Sequence, residues 1–168
     1  TKVEELMEVS FKNTPLLYPD MITNMADVMK EILSEGIRQD IEDARLGDNR
    51  ELFDESWIDD LIDQMSANTG KEKIPMYVLT NRKKLYGAAC MLYPEVLKNF
   101  SERLGQDFYV LPSSVHEVIL VPVNSEADQE SLRGIVTDIN RTQVAEEEIL
   151  ADSVYFYSRN LNKILWLS

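Results

Sequence analysis

Hydrophobic positions along this chain change their spacing near residue 74. Before it they recur at the interval of a helix face, and after it they come in short unbroken runs bounded by turn residues, the pattern of buried strands. Val3, Leu6, Met7, Ser10 and Phe11 fall on one helical face, and Thr1 with Glu4 three residues on forms a capping-box pattern in front of them. Pro15 disfavours helical geometry in its predecessor, so this predicted helix stops near Thr14. A second stripe, Met21, Met25, Val28, Met29, Ile32 and Leu33, ends before Gly36. The two helices are expected to pair through their apolar faces, with methionine filling core space.

Ser34 to Lys73 holds twelve acidic residues against five basic ones. Within it Ser56 can cap a helix whose Trp57, Ile58, Leu61, Ile62 and Met65 make a narrow apolar edge, closed by Asn68 and Gly70. Such an edge packs on its own domain or docks a partner. Trp57, Ile58 and Leu61 are therefore the candidate partner-binding residues.

Beyond Lys73, Ile74 to Thr80 predicts a strand, Asn81 to Lys84 a turn, and Leu85 to Leu92 a second strand whose composition also suits a helix. Pro94 then opens a helix with Val96, Leu97, Phe100 and Leu104 inward, closed by Gly105. Phe108 to Val123 holds two apolar runs around Pro112-Ser113-Ser114, and a helix follows from about Ser125 to Asn140. This second unit echoes the first at an offset of 32 residues: Tyr77-Val78-Leu79 matches Tyr109-Val110-Leu111, and Phe100 and Leu104 match Leu132 and Val136. A short helix near Ala145 to Ala151 precedes two strands, Val154 to Tyr157 and Ile164 to Leu167. The predicted fold is α+β: an antiparallel or mixed sheet of two strand-strand-helix units and a C-terminal hairpin, with N-terminal helices packed on it. One domain is expected over 1–168, helical in 1–73 and sheet-containing in 74–168.

Composition narrows the class. With 168 residues, 44% of them hydrophobic and 28% charged, the chain buries roughly two thirds of its unfolded surface without help from metal or disulfide. A net charge of −13, from 17 basic and 30 acidic residues, repels phosphate backbones and anionic lipid, which speaks against nucleic-acid and membrane partners. Cys90 is the only cysteine, so no intrachain disulfide forms and a reducing compartment is the simplest setting. No apolar run reaches the roughly 18 to 20 residues of a membrane helix, and no signal peptide opens the chain. A cytoplasmic location is expected. The start at Thr1, already in a helical pattern, suggests a piece of a longer protein.

The only histidine, His116, lies beside Ser113, Ser114 and Glu117. On an extended strand Ser114 and His116 share a face while Glu117 points away, so the acid that should orient a catalytic imidazole is misplaced. No Gly-x-Ser-x-Gly elbow is present. Ser113, Ser114, His116 and Glu117 are weak catalytic candidates beside a hydrogen-bonded structural histidine. The His-Glu pair lacks the second histidine of a zinc helix, and one histidine with one cysteine does not fill a zinc site. No Walker or dinucleotide glycine pattern occurs. Neither metal nor cofactor is expected. Arg82-Lys83-Lys84, the one basic cluster, reads as a solvated turn.

Several motifs resemble one family. Phe11-Lys12-Asn13-Thr14-Pro15, Met76 to Asn81, Tyr86-Gly87-Ala88-Ala89, Leu92-Tyr93-Pro94, Leu111 to Leu120 and Asn140 to Val144 are similar to the uncharacterised bacterial family named domain of unknown function 5688. The resemblance is strongest in the C-terminal portion and implies a longer N-terminal region in relatives; it carries no activity. The expected role is a non-enzymatic protein-interaction or regulatory module, the alternative a hydrolase using Ser114 and His116.

Overall fold

The computed structural model describes residues 2–28, 31, 35, 75–112, 114–123, 129–142 and 144–166. The chain divides into two compact units, Thr1–Asn24 with Ile74–Ser168, and Met25–Lys73. In the second unit the described residues, 25–28, 31 and 35, are helical. Trp57, Ile58 and Leu61 lie outside the described residues.

The first unit opens with α1, Val3–Leu17, which starts after Lys2 rather than Thr1. Glu5, not Glu4, reaches back to accept the Lys2 backbone N–H at 3.2 Å. The helix also runs three residues beyond Thr14, with Pro15 inside its last turn. Proline there forfeits one backbone bond, and the Tyr18 N–H donates to the Thr14 carbonyl at 2.8 Å to close the end. The following stripe does not begin as a helix. Asp20–Asn24 is strand β1, paired antiparallel to β2, Tyr77–Asn81, with Ile22 opposite Leu79. Ile22 and Thr23 are β-branched, and a ladder to a buried strand outweighs a helical spacing carried by flexible methionines.

Six strands form one antiparallel sheet in the order β1-β2-β4-β3-β5-β6, where β3 is Phe108–Leu111, β4 Val118–Pro122, β5 Tyr155–Ser158 and β6 Lys163–Trp166. The fold is therefore α+β. The segment expected as a strand from Leu85 to Leu92 is instead a 3₁₀ helix, Gly87–Leu92. Its small residues, Gly87, Ala88 and Cys90, are buried, and the apolar run that looked like a strand interior is a tight coil under α2, Val96–Leu104. Gly105, at φ 78°, ends α2 in the left-handed conformation glycine adopts at low cost. The helix after β4 is α3, Gln129–Thr142, and the short helix before β5 is a single 3₁₀ turn, Glu146–Glu148.

One core lies between the sheet and α2. Phe100 meets Tyr77 and Phe108 edge to face, with centroids 5.2 and 5.0 Å away, and Phe108 stacks on Tyr157 at 4.8 Å. Leu79, Val110, Val118 and Leu120 complete the sheet side, with Val96 and Leu97 above them. Each such side chain contributes about 1.5–3 kcal/mol on full burial. All five residues of β4 are buried, as expected for a central strand covered on both faces. The N-terminal helix does not join this packing: α1 buries no residue.

The 32-residue echo is not a structural repeat. Tyr77 and Val110 both stand opposite Leu120 on β4, whereas Tyr109 stands opposite Val121, so Tyr77 and Tyr109 occupy opposite faces of the sheet.

Candidate functional site

His116 sits where three segments converge: the end of β2 with its turn, the β3–β4 connection, and the 3₁₀ turn before β5. The first is shaped by Asn81, which is buried. Its Oδ1 accepts the N–H groups of Lys83 and Leu85 at 3.0 and 3.3 Å, and its Nδ2 donates to the Leu85 carbonyl at 2.7 Å. This side-chain clamp folds Arg82–Tyr86 into an exposed turn with Lys84 and Tyr86 at positive φ, 53° and 52°. Lys83 leaves over the Tyr18 ring, 4.7 Å from its centroid. A non-glycine residue in this conformation costs on the order of 1 kcal/mol. At Tyr86 the return is direction, because its N–H points at Nδ1 of His116 across 3.0 Å.

The β3–β4 connection is bent, not extended, so the alternation expected for Ser114, His116 and Glu117 does not apply. Ser114 forms an isolated antiparallel bridge with Ile149, and the Val115 N–H donates to the Glu148 carbonyl at 2.9 Å. On its other side the Val115 carbonyl accepts the Ala88 N–H at 3.2 Å. Thr80 donates its hydroxyl to the His116 carbonyl at 2.8 Å. Gly87 permits this approach: a Cβ there would fall 2.1 Å from Thr80 Oγ1 and 2.5 Å from the His116 carbonyl oxygen.

The imidazole has two partners. Nδ1 faces the Tyr86 N–H, which can only donate, so Nδ1 is unprotonated and the ring proton resides on Nε2. Nε2 lies 3.2 Å from Glu148 Oε1 and directs that proton to the carboxylate. The Tyr86 ring covers the imidazole at 5.3 Å between centroids. Ser114 does not approach either nitrogen as a partner; its hydroxyl accepts the backbone N–H of His116 at 3.0 Å. Glu117 is exposed, and Ser113 lies outside the described residues. A general base needs a free lone pair facing the nucleophile. Here that lone pair is already spent on a backbone amide. Tyr86 and Glu148, 30 and 32 residues away in sequence, are the partners that sequence spacing does not reveal, and no local motif marks them.

Cys90 is fully buried. Burial pushes its thiol pKa up, with the nearby Tyr93 hydroxyl opposing and Asp20 adding in the same direction as burial. That is the reverse of an activated thiolate. Tyr93, whose hydroxyl donates to the Tyr18 carbonyl at 3.1 Å, is pushed from 10.0 up to about 12, first by burial and then by Cys90 and Asp20. Among the described residues no three His, Cys, Asp or Glu side chains are grouped so as to hold a metal ion, and no helix is long and apolar enough to cross a membrane.

A family model described as a family of unknown function, DUF5688, matches residues 1–159. The chain belongs to the DUF5688 family. The match extends beyond the C-terminal portion and runs through the acidic stretch, so DUF5688 describes nearly the whole chain; it stops before β6. The His116 knot, from Thr80 to Ile149, falls inside it. No curated protein and no solved structure matches the chain.

Proposed function

We propose that this DUF5688 chain is a non-enzymatic protein-interaction or regulatory module of the bacterial cytoplasm. The observation that carries the reading is α1. Val3, Leu6, Met7 and Phe11, the apolar stripe of an amphipathic helix, are 72%, 58%, 53% and 47% exposed. A contiguous apolar face of this kind is a contact surface in search of cover. The stripe of Trp57, Ile58 and Leu61 is proposed as a second contact. The test is affinity capture from native lysate with wild type and a Leu6→Glu/Phe11→Glu variant of unchanged melting temperature. Loss of specific, stoichiometric partners in the variant supports the reading; identical recovery overturns it.

The rival reading, a hydrolase using Ser114 and His116, draws support from Glu148, the acid beside the imidazole. Against it stands the order of contacts: the carboxylate is on Nε2 and a backbone amide on Nδ1, with the hydroxyl turned to the main chain. Labelling by a serine-directed phosphonate that disappears in Ser114→Ala and His116→Ala would establish the hydrolase; no labelling removes it.

A further inference from the structure

His116 carries the only imidazole of the chain, and the two contacts of its ring respond differently to acid. Nε2 already holds the proton and directs it to Glu148 Oε1 at 3.2 Å, a bond that a positive ring strengthens. Nδ1 accepts the Tyr86 N–H at 3.0 Å. A backbone amide only donates, and an imidazolium donates from both nitrogens. A second proton on the ring therefore lands on the lone pair that Tyr86 uses and sets two N–H groups head to head. Solvent can deliver that proton, because the His116 side chain is 26% exposed.

The Tyr86 side of the contact is the one free to move. Tyr86 sits at φ 52°, a left-handed conformation that costs any residue with a Cβ. Among the described residues its only other backbone bond is a long one, 3.4 Å, from the Ala89 N–H to its carbonyl. Its side chain is exposed, so little packing holds it. On either side the chain is tied down. Asn81 clamps the Lys83 and Leu85 N–H groups and the Leu85 carbonyl, and the Ala88 N–H donates to the Val115 carbonyl at 3.2 Å. The response is thus confined to Tyr86, the junction between the basic turn and the helix Gly87–Leu92.

Charged and titratable groups stand on several elements around the ring. The turn brings Arg82, Lys83, Lys84 and the Tyr86 phenol, the 3₁₀ turn before β5 brings Glu146, Glu147 and Glu148, and the β3–β4 connection brings Glu117. The helix Gly87–Leu92 adds only the buried Cys90, β2 only Tyr77 at its far end, and β4 none. Cations and carboxylates oppose one another here, so hydrogen-bond polarity at Nδ1 sets the direction of the response.

We propose that His116 is an acid-operated latch: a second proton, taken up at Nδ1, releases the Tyr86 backbone while Nε2 stays anchored to Glu148, and so loosens the basic turn from the helix that follows it. This regulation requires no partner and stands whether or not α1 is a contact surface. The test is ¹H–¹⁵N NMR of the full chain from about pH 8 to about pH 5, the range in which imidazoles ordinarily titrate. At the alkaline end Nε2 should carry the proton and Nδ1 none. On acidification the Tyr86 amide should shift with the same midpoint as the imidazole nitrogens, and its hydrogen-exchange protection should fall about tenfold or more. The Lys83 and Leu85 amides, held by Asn81, should keep theirs. Glu148→Gln removes the charge that steadies the imidazolium, so both midpoints should move together to lower pH. In His116→Gln the Tyr86 transition should vanish. A proton on Nδ1 at the alkaline end, an imidazole still neutral at about pH 5, a Tyr86 amide indifferent to the imidazole titration, or a Tyr86 transition that survives His116→Gln overturns the proposal. Where His116→Gln does not fold, Glu148→Gln decides: midpoints that move apart overturn the latch, and midpoints that move together support it.

Discussion

Gly87 and Tyr93 show how single residues hold this fold in ways their types do not advertise. Gly87 has no positive φ to justify it; it is needed because the Thr80 side chain and the backbone of His116 and Asn81 occupy the space a methyl group would take. Two of those three contacts are main chain and cannot swing aside, so Gly87→Ala is expected to destabilise by about 3 kcal/mol or more, read by urea melts. It should also release the Tyr86 N–H from Nδ1, visible as a change in the ¹⁵N shifts of the imidazole. Tyr93 governs alkaline behaviour. Its folded pKa of about 12 lies above the ordinary 10.0, so between these values the folded protein keeps a phenolic proton that the unfolded chain sheds. Stability from this group is complete below pH 10 and falls as the pH rises through 12, by up to about 1.4 kcal/mol per pH unit. Tyr157 and Cys90, also raised by burial, contribute slopes of the same sign, that of Cys90 beginning at its lower ordinary value of 9.0. Tyr93→Phe should flatten that slope and cost about 1 kcal/mol at neutral pH through loss of the bond to Tyr18; chemical denaturation at several alkaline pH values checks both.

At the scale of elements, α1 and α2 both carry an apolar stripe and meet opposite fates. α2 buries Val96, Leu97 and Phe100; α1 buries nothing. Phe100→Ala is accordingly expected to cost about 3–5 kcal/mol, while Leu6→Ala should stay within roughly 0.5 kcal/mol, both measured by equilibrium unfolding. The periodicity that predicts each helix is the same, and spacing alone does not say which face finds a sheet. The strands were the more legible elements. Apolar runs in Phe108 to Val123 lead directly to β3 and β4, because a central strand buried on both faces has no polar alternation to confuse. β1 was hidden, since Met21 and Met25 also suit a helix and only the ladder to β2 decides between them. The run at Leu85 to Leu92 was hidden for a related reason: small apolar residues serve a tight 3₁₀ coil as well as a strand.

For the molecule as a whole, the charge of −13 carries a cost in self-repulsion. Like charges repel most when salt does not screen them, and the screening length shrinks from about 20 Å at 0.02 M to about 6 Å at 0.3 M. The melting temperature of the full chain is therefore expected to rise by a few degrees over that range; an unchanged or falling value would mean that attractive pairs, not repulsion, dominate the surface. The surface ion pairs Lys12–Glu8 and Lys98–Glu95 weaken with salt but are worth little individually.

Residue order alone determined that the chain is α+β, that β3 and β4 lie in a core, and that α2 stops at Gly105, because hydrophobic period, run length and glycine conformational preference are local properties. The surroundings of His116 were not local. Its tautomer is set by Tyr86 and Glu148, which reach it through a turn clamped by Asn81 and a 3₁₀ helix ahead of β5. The adjacency of β1 to β2 likewise depends on pairing across more than fifty residues. Contacts of that span are chosen by which faces the chain can bury together, and that choice belongs to the folded whole.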